Sequence, residues 1–394
     1  MEADEGQLPE RLNLVLPLPY RILVIFLLGI WGFGVNVHVL SLYGIDTASL
    51  LHYKPRFNTS AGLHASIYSL GFLISAIVTL SLLVFWILCG ADPSNVYEWQ
   101  VFPLLTAFAT FLIMVNPLDV FHRYGRFQFW RYCQRVSVGA IDLETRFADI
   151  LLADALTSYA KVLGDCWILT CMFLTRLPTT AQPNRACGGT LIVPIIMCLP
   201  SLARLRQCLT EYFATGCQNS THAWNALKYA SVFPVILISS FQFSVDEYTN
   251  PEERNLQTFI SRIWLICAFF NSIFSFYWDV ANDWDLNFFA PTQKTNVYRR
   301  LRSPLFFSPV VYYFAICLDL ILRMTWSLKL SPHLIEVYEY EGGIFILEVL
   351  EVMRRWMWVF FRVEAEQIRR VRNHGVAASN GIELLSNVNE EYLD

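Results

Sequence analysis

The sequence predicts an all-α polytopic membrane protein with about ten transmembrane helices, and three observations carry that reading. Of its 394 residues, 55% are hydrophobic and only 16% are charged, against about 25% charged in an ordinary soluble domain. Apolar stretches of roughly 20 residues, enough to cross a bilayer's hydrocarbon core, recur along nearly the whole chain. Proline and polar clusters such as Pro178–Asn184 and Asp246–Arg254 separate them.

The first span is expected at 19–42. It is too long for the apolar part of a cleaved signal peptide, and Glu2, Asp4 and Glu5 give the wrong charge ahead of it. It reads as an uncleaved signal anchor. Further spans are expected at 63–89, 100–116, 147–174, 190–214, 223–243, 257–280, 307–328 and 342–363. Residues 118–138 fit two descriptions. Arg123, Arg126, Arg131 and Arg135 recur at near-helical spacing among Phe121, Phe127, Phe129 and Trp130. That pattern suits either an interfacial amphipathic helix or a tenth span, and the tenth span is preferred.

This divides the chain into a short cytosolic N-terminus (1–18), N-terminal transmembrane helices (19–138), a second transmembrane domain (147–363) and a cytosolic tail (364–394). Lys294, Arg299, Arg300 and Arg302 lie in one loop, and Arg369, Arg370 and Arg372 follow the last span. The positive-inside rule puts both groups in the cytosol, opposite the acidic loops 244–256 and 329–341. With ten spans both termini are cytosolic; with nine, the N-terminus faces the lumen. Ten spans would also put the sequon Asn58-Thr59-Ser60 in the lumen, open to glycosylation, and Asn219-Ser220-Thr221 in the cytosol.

Ten cysteines are present, and none forms a C-x-x-C pair. Cys89, Cys166, Cys171, Cys198, Cys267 and Cys317 lie in apolar segments and read as small buried hydrophobes. The seven histidines do not cluster at ligand spacing, so no metal or other cofactor is expected. No G-x-S-x-G, H-E-x-x-H or nucleotide-binding motif occurs. Transport, if that is the function, then runs downhill or is ion-coupled, and no nucleic-acid partner is expected.

The chemistry lies in charges within apolar segments. Asp154 and Lys161 share one segment, Lys228 occupies another, Asp319 and Arg323 share a third, and Glu351, Arg354 and Arg355 a fourth. Each such charge costs about 2.5–3.5 kcal/mol on insertion scales unless it faces a partner or a wet path. Arg323 follows Asp319 by four residues, and Arg354 and Arg355 follow Glu351 by three and four, so opposite charges meet on one helix face. Arginine's planar fork suits an oxyanion. The competing reading is a set of internal salt bridges that lock the bundle. Trp278-Asp279 and Asp283-Trp284 form a W-D-x-x-x-D-W pattern, which is either an interfacial belt or a pair of acids for metal or glycosyl-transfer chemistry.

At these residues the chain resembles the EXS-domain family of phosphate exporters. The run Leu350-Glu351-Val352-Met353-Arg354-Arg355-Trp356-Met357-Trp358, then Phe360-Phe361-Arg362-Val363-Glu364, is similar to the family's L-E-x-x-R-R-x-x-W-x-F-F-R-x-E. Asp319–Trp326 looks like D-x-x-L-R-x-x-W. The W-D-x-x-x-D-W pattern, Phe147-Ala148-Asp149 with Leu152-Ala153-Asp154, Lys228-Tyr229 and, more weakly, Asn116-Pro117 also match. The resemblance implies a ten-helix exporter in which Arg323, Arg354, Arg355, Lys228 and Tyr229 bind phosphate. Asp154, Asp283, Glu351 and Asp319 would pair with these residues or gate the path, with Trp326 lining it.

Two departures stand out. The family often has Gln and Asn where this chain has Ala155 and Thr157, and the larger exporters begin with an SPX domain that the N-terminal stretch here is too short to form. Similarity is therefore greatest to the yeast ER-retention-defective type. That implies a Golgi membrane protein returning lumenal phosphate, a by-product of glycosylation, to the cytosol. Its implied partners are inorganic phosphate, the lipid bilayer, and Golgi glycosyltransferases with their cytosolic sorting adaptor; a homodimer is left open. The rival readings are a non-transporting receptor or adaptor that retains Golgi enzymes and ER residents, and a membrane transferase using Asp279 and Asp283.

Overall fold

The computed structural model describes residues 11–53, 62–90, 92–139, 146–242, 251–289, 301–330 and 341–391. These form fifteen α-helices: α1 (Arg11–Val15), α2 (Leu18–Leu42), α3 (Thr47–Leu50), α4 (Leu63–Cys89), α5 (Pro93–Glu98), α6 (Val101–Val115), α7 (Arg123–Ser137), α8 (Arg146–Ser158), α9 (Ala160–Leu174), α10 (Ile192–Ala214), α11 (Ser220–Ala230), α12 (Val232–Gln242), α13 (Pro251–Trp278), α14 (Pro309–Arg323) and α15 (Glu341–Glu391). A π-helical turn, Asp279–Asp283, extends α13, and a 3₁₀ turn, Thr325–Leu330, follows α14. No strand occurs among the described residues.

Among the described residues, six helical stretches are long and apolar enough to cross a membrane: Leu18–Leu42, Leu63–Cys89, Ser94–Val115, Ile192–Ala214, Asn255–Asp283 and Pro309–Ser327. Three more passes are made by helices that are broken or charged: α8 with α9, α11 with α12, and α15. The breaks at Tyr159 and Ser231 flank polar positions, and such an interruption of the hydrogen-bond ladder is tolerated at membrane depth only inside a protein bundle.

Helix directions follow from contacts along their lengths. From α2 to α15, Arg21 meets Glu341, Asn36 donates to the Trp356 carbonyl, and Leu40 packs in one core with Val359. Residue numbers rise together, so α2 and α15 are parallel. Glycines allow the close approach: a Cβ on Gly32 would lie 1.7 Å from the Trp356 ring, and one on Gly29 would lie 2.1 Å from the Tyr159 hydroxyl. α4 is antiparallel to α2, with Tyr20 bonded to Ser81 and His38 stacked on His64. The bundle therefore has a Glu341 end and a Trp284 end.

Two expectations change here. α7 does not cross the bundle. Tyr124 packs on Tyr53 with ring centroids 5.1 Å apart, and eight residues later the Tyr132 hydroxyl donates to the Leu51 carbonyl at 2.9 Å. Both parts of α7 thus sit at the Trp284 end. Its 15 residues would span only about 22 Å. Buried Arg126 fixes the turn into it by donating to the carbonyls of Ile113, Asn116, Val120 and Phe121 at 2.5–2.8 Å. On the helix's inner flank, burial pushes the Cys133 thiol up to about 11. α7 thus lies along one end of the bundle, as the interfacial alternative has it, and the helices named above run along the bundle nine times among the described residues.

The second change follows from this odd number. Residues 11–18 lie at the Glu341 end, whereas α15 leaves the core at the Trp284 end, so these two segments lie at opposite ends of the bundle. The residues flanking the sequon at Asn58, which itself lies outside the described residues, are at the Trp284 end.

Smaller differences concern the tail, one loop and the cysteines. α15 continues without a break past 364, and Glu364, Ala365 and Ile368 are buried. Arg302, expected in a cytosolic loop, is buried and paired with Glu364 at 2.7 Å. Lys294, Arg299 and Arg300 lie outside the described residues, as does most of both acidic loops. Cys171, read as a buried hydrophobe, forms a disulfide with Cys187. A spacing of 16 residues hides such a pair from any search for close cysteines.

Candidate functional site

A buried charge network fills the middle of the bundle, where α8, α10, α11, the π turn, α14 and α15 converge. Asp154 on α8 accepts from Arg204 Nε at 2.6 Å and from the Tyr229 hydroxyl at 2.5 Å. Arg204 also donates to Gln207 at 2.6 Å and lies over the Tyr229 ring. Neighbouring Lys228 on α11 reaches Asp279 at 3.3 Å and Asp283 at 3.2 Å. Both acids lie in the π turn, closed by the i→i+5 bond from Trp284 N–H to the Asp279 carbonyl at 2.8 Å; four residues apart, they share one face. Such π segments recur at functional sites.

Asp279 is fully buried and serves as the hub. Besides Lys228 it accepts from Arg323 and lies 3.7 Å from Arg354. Arg323 also pairs with Asp319 at 3.1 Å. Arg354 spans the other side, reaching Asp319 at 3.2 Å and Glu351 at 2.5 and 3.0 Å. Four cations (Arg204, Lys228, Arg323, Arg354) thus pair with five carboxylates (Asp154, Asp279, Asp283, Asp319, Glu351), which offsets the cost of burying these charges; a fifth cation, Arg355, lies beside them.

Arg355 differs from the other four cations. It is 8% exposed and donates Nε to Ser158 at 2.9 Å and Nη2 to Thr157 at 3.1 Å. Among the described residues it makes no ion pair. Ser158 in turn bonds Glu351 at 2.8 Å, and the Trp358 ring lies 4.7 Å from the guanidinium carbon. Thr157 stands where the resembling family often has a polar amide, and it supplies a polar contact to Arg355 all the same.

The expected site residues Arg323, Arg354, Arg355, Lys228, Tyr229, Asp154, Asp283, Glu351 and Asp319 therefore gather in one network. Trp326 sits beside it on the Glu341 side, donating to Ser272, which bonds the Arg323 carbonyl at 3.2 Å. Two members were not among the expected site residues. Arg204 stood within an expected span with Gln207 one turn on, and this placement was the available signal. Asp279 was visible only in the W-D-x-x-x-D-W pattern.

A second charged cluster lies toward the Glu341 end. Arg21 pairs with Glu341 at 2.7 Å, and Arg185 bridges Glu341 at 3.0 Å and Asp165 at 3.2 Å. The disulfide ties the loop carrying Arg185 to the end of α9.

Comparison with known proteins matches residues 16–368 to the model of the EXS family. Protein ERD1 homolog 1 of Schizosaccharomyces pombe is 30% identical over 362 residues, covering 89% of this chain and 90% of that protein. Protein ERD1 homolog 2 of the same yeast is 27% identical over 388 residues, covering 89% and 96%. Solute carrier family 53 member 1 of Homo sapiens is 28% identical over 369 residues; the match covers 88% of this chain and about half of that longer protein.

Proposed function

The chain belongs to the EXS family, and from that premise we propose that it is an inorganic phosphate transporter of the Golgi membrane, carrying lumenal phosphate to the cytosol. The observation that carries the proposal is Arg355. It is a buried guanidinium that, among the described residues, is held by hydroxyls and makes no ion pair, next to Arg354 in a network whose other cations already have carboxylates. Hydroxyls are weak partners that an oxyanion displaces, and a charge-assisted bidentate bond is stronger than the pair it replaces. As the anion binds, Arg354 shares its donors between Glu351 and the ligand, while Lys228 and Arg323 balance the added charge through Asp279. Tyr229 and Arg204 hold Asp154 away from the entering anion. The name of the relative called a solute carrier agrees with this reading.

Two observations support the orientation. Arg369, Arg370 and Arg372 follow the core at the Trp284 end, which the positive-inside rule assigns to the cytosol. The Cys171–Cys187 disulfide joins residues at the Glu341 end, as expected of an oxidising lumen. Residues 11–18 would then face the lumen. Clearing phosphate from that lumen would favour glycosylation and support retention and recycling of Golgi glycosyltransferases, in keeping with relatives named ERD1 homologs.

The deciding experiment is phosphate uptake into proteoliposomes of the purified chain. Flux that depends on Arg355, lost in Arg355→Ala with the protein still folded, is expected. No phosphate flux above empty liposomes would overturn the proposal.

A further inference from the structure

The last helix carries a charged stripe of which the transport reading uses only the middle. Glu341, Glu348, Arg355, Arg362 and Arg369 follow each other at intervals of seven residues. Seven residues make nearly two turns, a rise of about 10.5 Å, so these side chains lie along one slowly turning face. The first four are between 4% and 8% exposed. Acids occupy the Glu341 end of the stripe, and arginines run from its middle to the Trp284 end.

Arg362 is the position of interest. Its Nε and Nη1 are buried and make no hydrogen bond among the described residues. Glu366 approaches Nη1 to 3.5 Å, an ion-pair distance without a hydrogen bond. The Phe147 ring lies 5.2 Å from the guanidinium carbon, much as the Trp358 ring lies against Arg355. In both cases a ring covers one face of the guanidinium and leaves its N–H edge for a ligand.

Buried donors without acceptors are costly, and an oxyanion would satisfy these. The charge of Arg362 also acts on Asp283, which Lys228 holds. At the next step of the stripe, Arg369 is held below the usual arginine value, first by burial and then by the like charge of Arg362. An anion at Arg362 relieves that repulsion.

We propose that Arg362 forms a second site for a phosphate-type oxyanion, on the Trp284 side of Arg355, which receives the anion as it leaves the central network. This rests on the transport reading and adds an exit step to it. One phosphate cannot bridge the roughly 10.5 Å rise between the two arginines, so the sites are distinct. Paired sites of moderate affinity let an ion enter and leave a path quickly.

The test uses proteoliposomes with inorganic phosphate on both sides, varied independently. The exit site faces the trans side, so trans phosphate modulates wild-type flux. Arg362→Gln keeps a polar, hydrogen-bonding side chain and removes the charge. It is expected to weaken the trans effect by about tenfold or more in half-effective concentration, the scale of a lost charge-assisted bond, and to leave the cis-side KM within about twofold. Arg362→Lys is expected to restore part of the trans effect. Arg355→Lys, which keeps part of the flux, is expected to raise the cis-side KM instead.

A folded Arg362→Gln protein with wild-type trans dependence overturns the exit site. If the Gln variant does not fold, wild-type trans dependence in Arg362→Lys overturns it, because lysine cannot form the fork. Absence of phosphate flux in the wild type would overturn the transport reading itself, a different result.

Discussion

Arg355 donates its Nε to the Ser158 hydroxyl at 2.9 Å, while Arg354, one residue away, faces Glu351, Asp319 and Asp279. Adjacent arginines on one helix thus have opposite circumstances: one is held by three acids, the other by hydroxyls alone.

Their substitutions should therefore separate. Arg354→Ala strands carboxylates in the core and is expected to cost about 3–5 kcal/mol, read as a large fall in Tm and poor yield. Arg355→Ala breaks no ion pair and is expected to lower Tm much less while abolishing phosphate flux. Arg355→Lys should recover flux only in part, since a point charge cannot make the bidentate fork. Equal Tm losses for the two alanine variants would contradict this assignment.

The parallel course of α2 and α15 predicts topology. Tags placed before α1 and after residue 372 are expected to lie on opposite sides of sealed Golgi vesicles. Protease added outside should remove the tag after 372 and spare the other. Removal of both would restore the ten-span arrangement.

The same arrangement predicts that Asn58 carries no glycan, since α2 ends and α4 begins at the basic Trp284 end, which is cytosolic in the proposed orientation. Glycosidase treatment and Asn58→Gln are both expected to leave gel mobility unchanged. A shift in either would place that loop in the lumen.

Packing at Gly32 predicts a further effect. Gly32→Ala puts a methyl group where the Trp356 ring stands, and overpacking of this kind costs about 1–3 kcal/mol. Since Trp356 adjoins Arg355, flux is expected to fall more than Tm alone explains. Flux per folded molecule equal to wild type would show that Trp356 moves without disturbing the arginine.

Much of this was legible in the sequence. Charges within apolar runs cannot be left in lipid, so Asp154, Lys228, Asp319, Arg323, Glu351, Arg354 and Arg355 were marked by cost alone, and they do meet. What sequence could not supply was geometry that depends on other helices. Nothing local to Arg126 reveals that its guanidinium gathers the carbonyls of a turn and so prevents α7 from crossing. Nothing local to Asp279 reveals three cations arriving from α11, α14 and α15. Cys171 looked apolar because its helix is; its partner lies beyond that helix, in the following loop.

The odd number of passes also bears on how such a bundle can be extended. In the proposed orientation, a module added ahead of α1 would be delivered to the lumen, out of reach of cytosolic metabolites. For such a module to sense the cytosol, the added stretch would need a crossing of its own before α2. Additions after α15 face no such requirement, and the direction of the chain makes that end the simple place for cytosolic control.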